Sequence, residues 1–562
     1  MNHFQDQHVV ILGLGISGLA MARWCARCGA RVTVADTREA PPHRAALREQ
    51  LPQAAFVSGP FTESLLDGAQ AVFRSPGLAP AQVDAVLDAA RARGLRVGGE
   101  LDLFVQALDV VRVQTEAAER AEQAARAAAQ AAEAIAAAAR VEVEPEPDVD
   151  EGAAPARAGD DDEPALVAPE PPPAGYRPAV LAVTGTNGKT TVTSLTGQLV
   201  ERSGHAVAVA GNIGPTMLDT LAARLDAGDL PQVWVLELSS FQLEGVEGFE
   251  PTAATVLNLT QDHLDWHGSM DAYAAAKARV FGGQGLMVLN REDTRVMAML
   301  PAPVRLKGGK TVQRAHVTFG GDLPRRPGDF GIEVVGGMTW LVRALEADET
   351  IKRRRDEAQE LHIQRLMPVD ALRIRGRHNA VNALAALALA VSAGCPLGPM
   401  LYGLRDYRGE PHRVEPVGIV DEVEFFDDSK GTNVGATVAA LQGLGADRKL
   451  VVILGGDGKG QDFSPLAEPV SRHARAAVLI GRDAPQIRAV LEPLGVTMLD
   501  ADSMEQAVRM AASRAQAGDA VLMSPACASF DMFDGYEHRA RVFLDAVRTL
   551  AHEAGTVLEG QS

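Results

Sequence analysis

Short apolar, β-branched runs recur along this chain, and most end in a glycine-rich or polar turn that leads into a segment of helical period. His8 to Leu12 predicts a buried strand, Leu19 to Cys28 a helix, and Arg31 to Ala35 a second strand ending at Asp36. Ala71 to Arg74 predicts another strand, ahead of the tight turn Ser75-Pro76-Gly77. The pattern resumes with a strand at Ala179 to Thr184 and a helix at Thr190 to Glu201, then strands at 205–210, 233–238 and 252–259. An Ala/Leu helix is expected over Ala380 to Ala393. From about Glu410 a third unit follows, with strands at 423–427, 449–454, 476–480 and 520–524. Strand, turn and helix in alternation predict an α/β protein built on parallel sheets.

Two stretches break the pattern. From about Gln114 to Gly175 an Ala/Glu/Gln/Arg run (Glu116 to Arg140, with Ile135 its one large apolar residue) precedes an acidic, proline-rich tract, Val141 to Pro173. Residues 114–175 hold 15 acidic and 4 basic side chains, so more than half of the chain's net charge of −19 sits there. So few large apolar residues cannot bury a core, and the expectation is a helix followed by a disordered linker. The second stretch, 343–365, carries Arg353-Arg354-Arg355 among several acids and is expected to be a solvated helix or a surface insertion. Expected segments are therefore 1–113, 114–175, 176–409 and 410–562.

A length of 562 residues accommodates about three or four domains. The negative balance argues against a nucleic-acid surface. Four cysteines are too few for a disulfide framework, which fits a reducing cytoplasm, and Cys25 and Cys28 are expected to be packing residues of a helix. No apolar run reaches the roughly 20 residues that span a bilayer, and no basic residue precedes the apolar run at Val9, so neither a membrane span nor a signal peptide is expected.

Chemistry concentrates in the turns. Gly185-Thr186-Asn187-Gly188-Lys189-Thr190-Thr191 lies between a strand and a helix, the layout of a phosphate-binding loop. Backbone N–H groups face the anion, Lys189 neutralises outer phosphates, and a threonine hydroxyl can ligate Mg²⁺. The loop is a shortened form, because Val183 stands where the longer pattern has its first glycine. Gly13-Leu14-Gly15-Ile16-Ser17-Gly18, with Asp36 about 20 positions on, matches the βαβ nucleotide fingerprint, which by itself suggests NAD. Glu237 and His263 fall at strand ends of the second unit, where ligands of open parallel sheets bind. Asn379 and Asn382 share a helix face. Turns at 428–433, 455–460 and 524–529 put Lys430, Thr432, Lys459 and Ser529 at one sheet edge, a set suited to an anionic small molecule.

Taken together, the phosphate loop, Glu237-Leu238-Ser239-Ser240-Phe241-Gln242-Leu243, His378-Asn379, Asp428-Ser429-Lys430-Gly431-Thr432-Asn433 and Ser524-Pro525-Ala526-Cys527-Ala528-Ser529-Phe530-Asp531 resemble the Mur ligases. The last block resembles their D-glutamate-adding members, and the Asp-Asn-Pro-Arg signature of the diaminopimelate-adding ones is missing. The resemblance covers the chain outside 114–175 and the charged stretch near 343–365. It implies three domains: a Rossmann-like UDP-binding domain, a central P-loop ATPase domain and a Rossmann-like amino-acid-binding domain. By position, Ile16, Ser17, Asp36, Thr37, Arg38, Gly77 and Asn212 would hold the UDP-linked substrate, which turns the NAD reading of the first glycine turn into UDP. Gly185 to Thr191, Asn379, Asn382, Arg413 and Asp428 would hold ATP. Lys430, Thr432, Lys459, Ser529, Phe530 and Tyr536 would surround D-glutamate, Tyr536 standing where relatives also carry Phe. Lys189, Glu237, His263 and Lys277 would be catalytic, and Thr190, Glu237, His263 and Lys277 (as a carbamate) would hold Mg²⁺.

The implied activity is ATP-dependent amide formation, adding D-glutamate to UDP-N-acetylmuramoyl-L-alanine through an acyl phosphate in peptidoglycan-precursor synthesis, by a cytoplasmic monomer. Two alternatives stand beside it: another Mur-type or folylpolyglutamate-like amide ligase, and an NAD-dependent oxidoreductase fused to a P-loop module.

Overall fold

The computed structural model describes residues 3–141, 174–307, 311–347, 360–446 and 448–556. Each of the three expected α/β units forms its own sheet. The N-terminal sheet has five parallel strands in the order Ala55–Ser58, Arg31–Asp36, His8–Leu12, Ala71–Arg74, Arg96–Gly98. The central sheet has six, in the order His316–Phe319, Leu286–Asn290, Ala253–Val256, Ala179–Thr184, Val233–Glu237, Val207–Gly211. In the C-terminal sheet Glu415–Val420 pairs antiparallel with Val423–Asp427, and Ala520–Met523, Leu450–Gly455, Ala474–Ile480 and Thr497–Asp500 follow in parallel. Strands buried on both faces, such as Ala179–Thr184 and Leu450–Gly455, read as continuous apolar runs and are visible in the sequence, whereas the edge strands Ala55–Ser58, Arg96–Gly98, His316–Phe319, Glu415–Val420 and Thr497–Asp500, and Leu286–Asn290, are not among the predicted ones.

A three-stranded antiparallel sheet, Phe330–Val335, Met338–Glu346 and Leu361–Pro368, was not foreseen. Gly336 and Gly337, with φ of 58° and 80°, form the two-residue turn between its first strands, a conformation that glycine adopts without steric cost. The charged stretch 343–365 is thus flanked by strand and not by helix, with Glu346 opposite Leu361; Arg353-Arg354-Arg355 lie outside the described residues.

The helix expected over Glu116 to Arg140 is the distal part of one 42-residue helix, Glu100–Val141, which runs unbroken past the expected boundary at 113. Leu101, Leu103, Phe104, Ala107 and Val111 bury its first turns. From Ala117 to Ala136 it is mostly exposed and braced by Arg120–Glu116 and Arg126–Glu122 pairs one turn apart. The linker expected over 142–173 lies outside the described residues. After it the chain returns to the same helix: the Tyr176 N–H donates to Thr115 Oγ1 (2.7 Å), and the Ala174 and Gly175 N–H groups donate to Glu119 (3.1 Å each).

The first two domains share one apolar core. Trp24, Phe73 and Phe104 from the first and Trp234, Leu236 and Phe281 from the second belong to a single buried cluster, and the Phe104 and Trp234 rings meet edge to face at 4.9 Å. Arg23–Asp219 (3.0 Å) and Arg27–Asp226 (2.6 Å) clamp its rim. Among the described residues the two clusters of the C-terminal domain contain no residue of the central domain, and the two domains meet through polar pairs and the packing of helix Val434–Leu444 on helix Arg377–Ser392. A mechanical difference follows: a shared core resists relative motion, whereas an interface outside any shared core permits it.

Candidate active site

The strand Ala179–Thr184 delivers the phosphate loop at the middle of the central sheet, and the helix Lys189–Arg202 starts at the lysine. Gly188 sits at φ 83°, and a Cβ there would lie 3.0 Å from Asn382 Oδ1, so the tight approach of the Asn379/Asn382 helix to the loop requires glycine. Asn258 clips the loop from below, accepting the Asn187 N–H (2.8 Å) and donating to the Asn187 carbonyl (3.0 Å). Thr186 Oγ1 contacts the Thr260 carbonyl and Tyr273 Oη, and Thr191 is buried with its carbonyl facing Tyr407. Lys189 Nζ donates to the carbonyls of Gly185 (3.0 Å) and Thr186 (2.8 Å). Burial lowers its pKa, while Glu237 and Asp262 oppose that shift.

Glu237 ends its strand buried, and its Oε1 accepts the Asn212 side-chain amide at 3.0 Å. Lys277, 1 % exposed on the helix Met270–Ala278, donates to the Gly185 carbonyl (2.9 Å) and Thr184 Oγ1 (3.2 Å). Two lysine Nζ atoms therefore converge on one carbonyl. Burial, reinforced by Lys189, pushes the Lys277 amine well below the ordinary lysine range. His263 takes a left-handed backbone (φ 52°) and stands edge-on to Phe241 at 4.8 Å. Its imidazole is held towards the neutral form by burial and by Lys189, Lys277 and Lys459, with Asp262 opposing.

Across the cleft the C-terminal domain presents its own set. Arg413 donates to Thr190 Oγ1 at 2.8 Å, so in this structure the hydroxyl expected at Mg²⁺ is bonded to a guanidinium. Asp428 is buried, accepts Ser524 Oγ at 2.6 Å, and has its pKa pushed up to about 7 by burial. Lys430 Nζ lies 3.8 Å from the centre of the Tyr536 ring, and burial followed by Arg413 pushes its pKa down to about 8. Glu237 and Lys189 also act on Lys430, which places the two sets within electrostatic range. Thr432 is half-buried, Lys459 exposed, Ser529 buried, and Phe530 71 % exposed.

At the N-terminal sheet Asp36 is buried, and its carboxylate is fully engaged. Oδ1 accepts Arg38 N and Nε (2.9 Å each), and Oδ2 accepts Leu14 N (2.7 Å) and Arg38 Nη2 (2.9 Å). The Arg38 pairing holds its pKa down at about 2. Four bonds saturate a carboxylate, so Asp36 fixes the glycine turn and Arg38 instead of offering an acceptor to a ribose hydroxyl, which removes the physical basis of the NAD reading. Ser17 is buried against Glu100, while Ile16, Thr37, Arg38 and Gly77 are exposed at the strand ends. Cys25 and Cys28 are buried and unpaired, as packing residues should be.

Sequence reading missed His412, whose Nδ1 pairs with Asp427 at 2.7 Å, and Asn433, whose amide meets Asn187. Asn433 did carry a signal, since it is the capping residue ahead of an apolar helix.

Three family models match successive parts of the chain: Mur ligase MurD-like, N-terminal domain over residues 7–99, Mur ligase middle domain over 183–318, and Mur ligase, glutamate ligase domain over 412–527. The UDP-N-acetylmuramoylalanine--D-glutamate ligase of Polaromonas sp. (strain JS666 / ATCC BAA-500) is 64 % identical over 588 residues, spanning 99 % of this chain and 100 % of its own. That of Albidiferax ferrireducens is 64 % identical over 562 residues, spanning 100 % of this chain and 99 % of its own. The chain belongs to the Mur ligase family, in the branch of these D-glutamate ligases. Among solved structures, MurF ligase from Thermotoga maritima in complex with ADP superposes with a TM-score of 0.51 at 14 % identity, covering 98 % of this chain and 96 % of that one; it shares the fold of this Mur ligase. Among the described residues no helix is long and apolar enough to cross a membrane.

Proposed function

We propose that this Mur ligase uses ATP to join D-glutamate to the carboxylate of UDP-N-acetylmuramoyl-L-alanine, in peptidoglycan-precursor synthesis. The observation that carries the reading is the convergence of the Gly185 to Thr191 loop, Lys189 and Glu237 on the central side with Arg413 and Lys430 on the C-terminal side. Residues 1–113 hold the UDP moiety, with Ile16, Thr37, Arg38 and Gly77 in contact and Asp36 acting through Arg38 and Leu14. Residues 176–409 hold ATP, 410–562 hold D-glutamate, and 114–175 stand outside the chemistry.

A carboxylate is a poor acyl donor because its leaving group would be oxide. An oxygen of the L-alanyl carboxylate attacks the γ-phosphorus, the bond to the β-phosphate oxygen breaks, and ADP leaves. The amine of D-glutamate then attacks the acyl-phosphate carbonyl, the tetrahedral intermediate expels phosphate, and the amide nitrogen loses a proton. Lys189 and Arg413 neutralise charge on the transferring phosphoryl group, where positioning and electrostatics do most of the catalysis. His263, held neutral, or solvent takes the proton. A buried carboxylate and a hydroxyl beside the phosphate loop are oxygen donors of the kind Mg²⁺ takes, so Thr190, Glu237, His263 and carbamylated Lys277 would hold it, and the ion would add charge neutralisation at the phosphates.

Acceptor labelled with ¹⁸O in its carboxylate tests the route. One labelled oxygen per turnover is expected in the released phosphate and the other in the amide carbonyl. Phosphate carrying no label, its new oxygen taken from water, would exclude the acyl phosphate.

A second expectation concerns the amino-acid subsite. Lys430 has a depressed pKa of about 8, so it is a cation below that pH and loses its charge above it. Binding of glutarate, which carries two carboxylates and no amine, should therefore weaken as pH rises through about 8. Lys430→Arg, charged throughout, should flatten that dependence; an equally steep profile in the variant would assign it to another group.

A further inference from the structure

Besides the Arg413–Thr190 bond, the phosphate loop meets the C-terminal domain through two side-chain amides 246 residues apart. Asn433 Nδ2 donates to Asn187 Oδ1 at 3.1 Å, and Asn187 Nδ2 donates to Asn433 Oδ1 at 3.3 Å. Neither amide is free to drift. The Asn187 backbone is clipped on both sides by Asn258. Asn433 caps the helix Val434–Leu444, its Oδ1 also accepting the Ala436 N–H at 2.9 Å. Two residues on, Gly435 lies against the loop, where a Cβ would stand 2.7 Å from Thr260 Oγ1 and 3.1 Å from Asn187 Nδ2. Close approach is therefore a property of the sequence on both sides of the cleft.

The same helix start is wired to the amino-acid subsite. The Val434 N–H donates to Gln461 Oε1 (3.1 Å), and Gln461 returns its side-chain amide to the Gly458 carbonyl (3.0 Å), in the turn that carries Lys459. Thr432 immediately precedes the cap. A force on Asn433 reaches both Thr432 and Lys459 through one or two bonds.

We infer that the reciprocal Asn187–Asn433 amide pair, seated by Gly435, is a latch that registers the C-terminal domain on the phosphate loop and thereby sets the amino-acid subsite against the acyl phosphate. Asn433 is then a positioning residue, acting through Asn187 on one side and through Thr432 and the Gln461 turn on the other. Among the described residues no shared apolar cluster fixes the relation of the two sides, which gives such a latch its work to do. The inference rests on the ligase reading above for its readout in turnover.

The test is a double-mutant cycle on the full chain, read in turnover and, separately, in the ATP-dependent distance between a label on the central domain and one on the C-terminal domain. Asn433→Ser keeps an oxygen for the Ala436 N–H, so the helix stays capped while the amide pair is lost. Asn187→Ala removes the other half. Each single substitution is expected to lower turnover about 10-fold and to open the ATP-bound distance, and the double variant to lose no more than either single one. Gly435→Ala, which keeps both amides, should open the distance in the same way. A multiplicative loss of about 100-fold in the double variant, or an ATP-bound distance unchanged in the single variants, overturns the latch. A wild-type distance that ignores ATP overturns it as well. A wild-type chain that closes on ATP but turns over no amino acid defeats the ligase reading, and the distance measurements still decide the latch.

Discussion

Replacing Lys189 by alanine lowers ATP turnover by about 10³-fold or more while leaving the fold intact, as read by phosphate release beside a thermal melt. Lys189 is the one charged side chain of the loop Gly185 to Thr191, and it opens its helix, where alanine is a good substitute for backbone geometry. Its ammonium is held by the Gly185 and Thr186 carbonyls and faces Glu237 and Asp262. Removing it takes away the phosphate's counter-charge and leaves Glu237 without its cation, which opposes binding of a polyphosphate twice over. A variant that melts like the wild type and keeps more than about a tenth of its turnover would show that Arg413, from across the cleft, is the principal cation.

The second large effect is at Lys277. A lysine with 1 % exposure, hydrogen-bonded to a carbonyl and beside a second lysine, is a poor place for an ammonium and a good one for a neutral amine. A neutral amine adds to CO₂, forming an N–C bond and releasing one proton, and the resulting carbamate is an anion next to Lys189. Enzyme prepared free of CO₂ should therefore lose most of its activity and regain it with bicarbonate, and ¹³CO₂ should give a carbamate carbonyl signal that disappears in Lys277→Ala. That variant should be about 10²-fold or more slower at any bicarbonate concentration. Activity indifferent to CO₂, with no carbamate signal, would leave Lys277 as a buried structural amine on the Gly185 carbonyl.

How much of this was legible beforehand depended on the range of the interaction. The strands His8–Leu12, Ala179–Thr184 and Val423–Asp427 were read to the residue, because a strand buried on both faces and stopped by a polar turn declares itself locally. The phosphate loop was legible for the same reason. The three-stranded sheet was not, although Gly336-Gly337 between apolar runs is a hairpin signal, because the charged run that follows interrupts the apolar pattern of its later strands. The break expected near residue 113 was a change of composition and not of structure, since an Ala-rich run continues any helix it inherits. The saturated carboxylate of Asp36, the His412–Asp427 pair and the Asn187–Asn433 contact depend on partners brought together only by the fold. A motif can nominate Asp36 for a ligand, but its four bonds to Arg38 and Leu14 come only with the fold.

The most direct measurement of the central claim is phosphate release from ATP with UDP-N-acetylmuramoyl-L-alanine present, comparing D-glutamate, L-glutamate and meso-diaminopimelate, with Lys189→Ala as the blank. Release is expected with D-glutamate alone. Release with either of the others in its place would keep the ligase chemistry and contradict the proposed specificity, and release with none of them would contradict the proposed reaction.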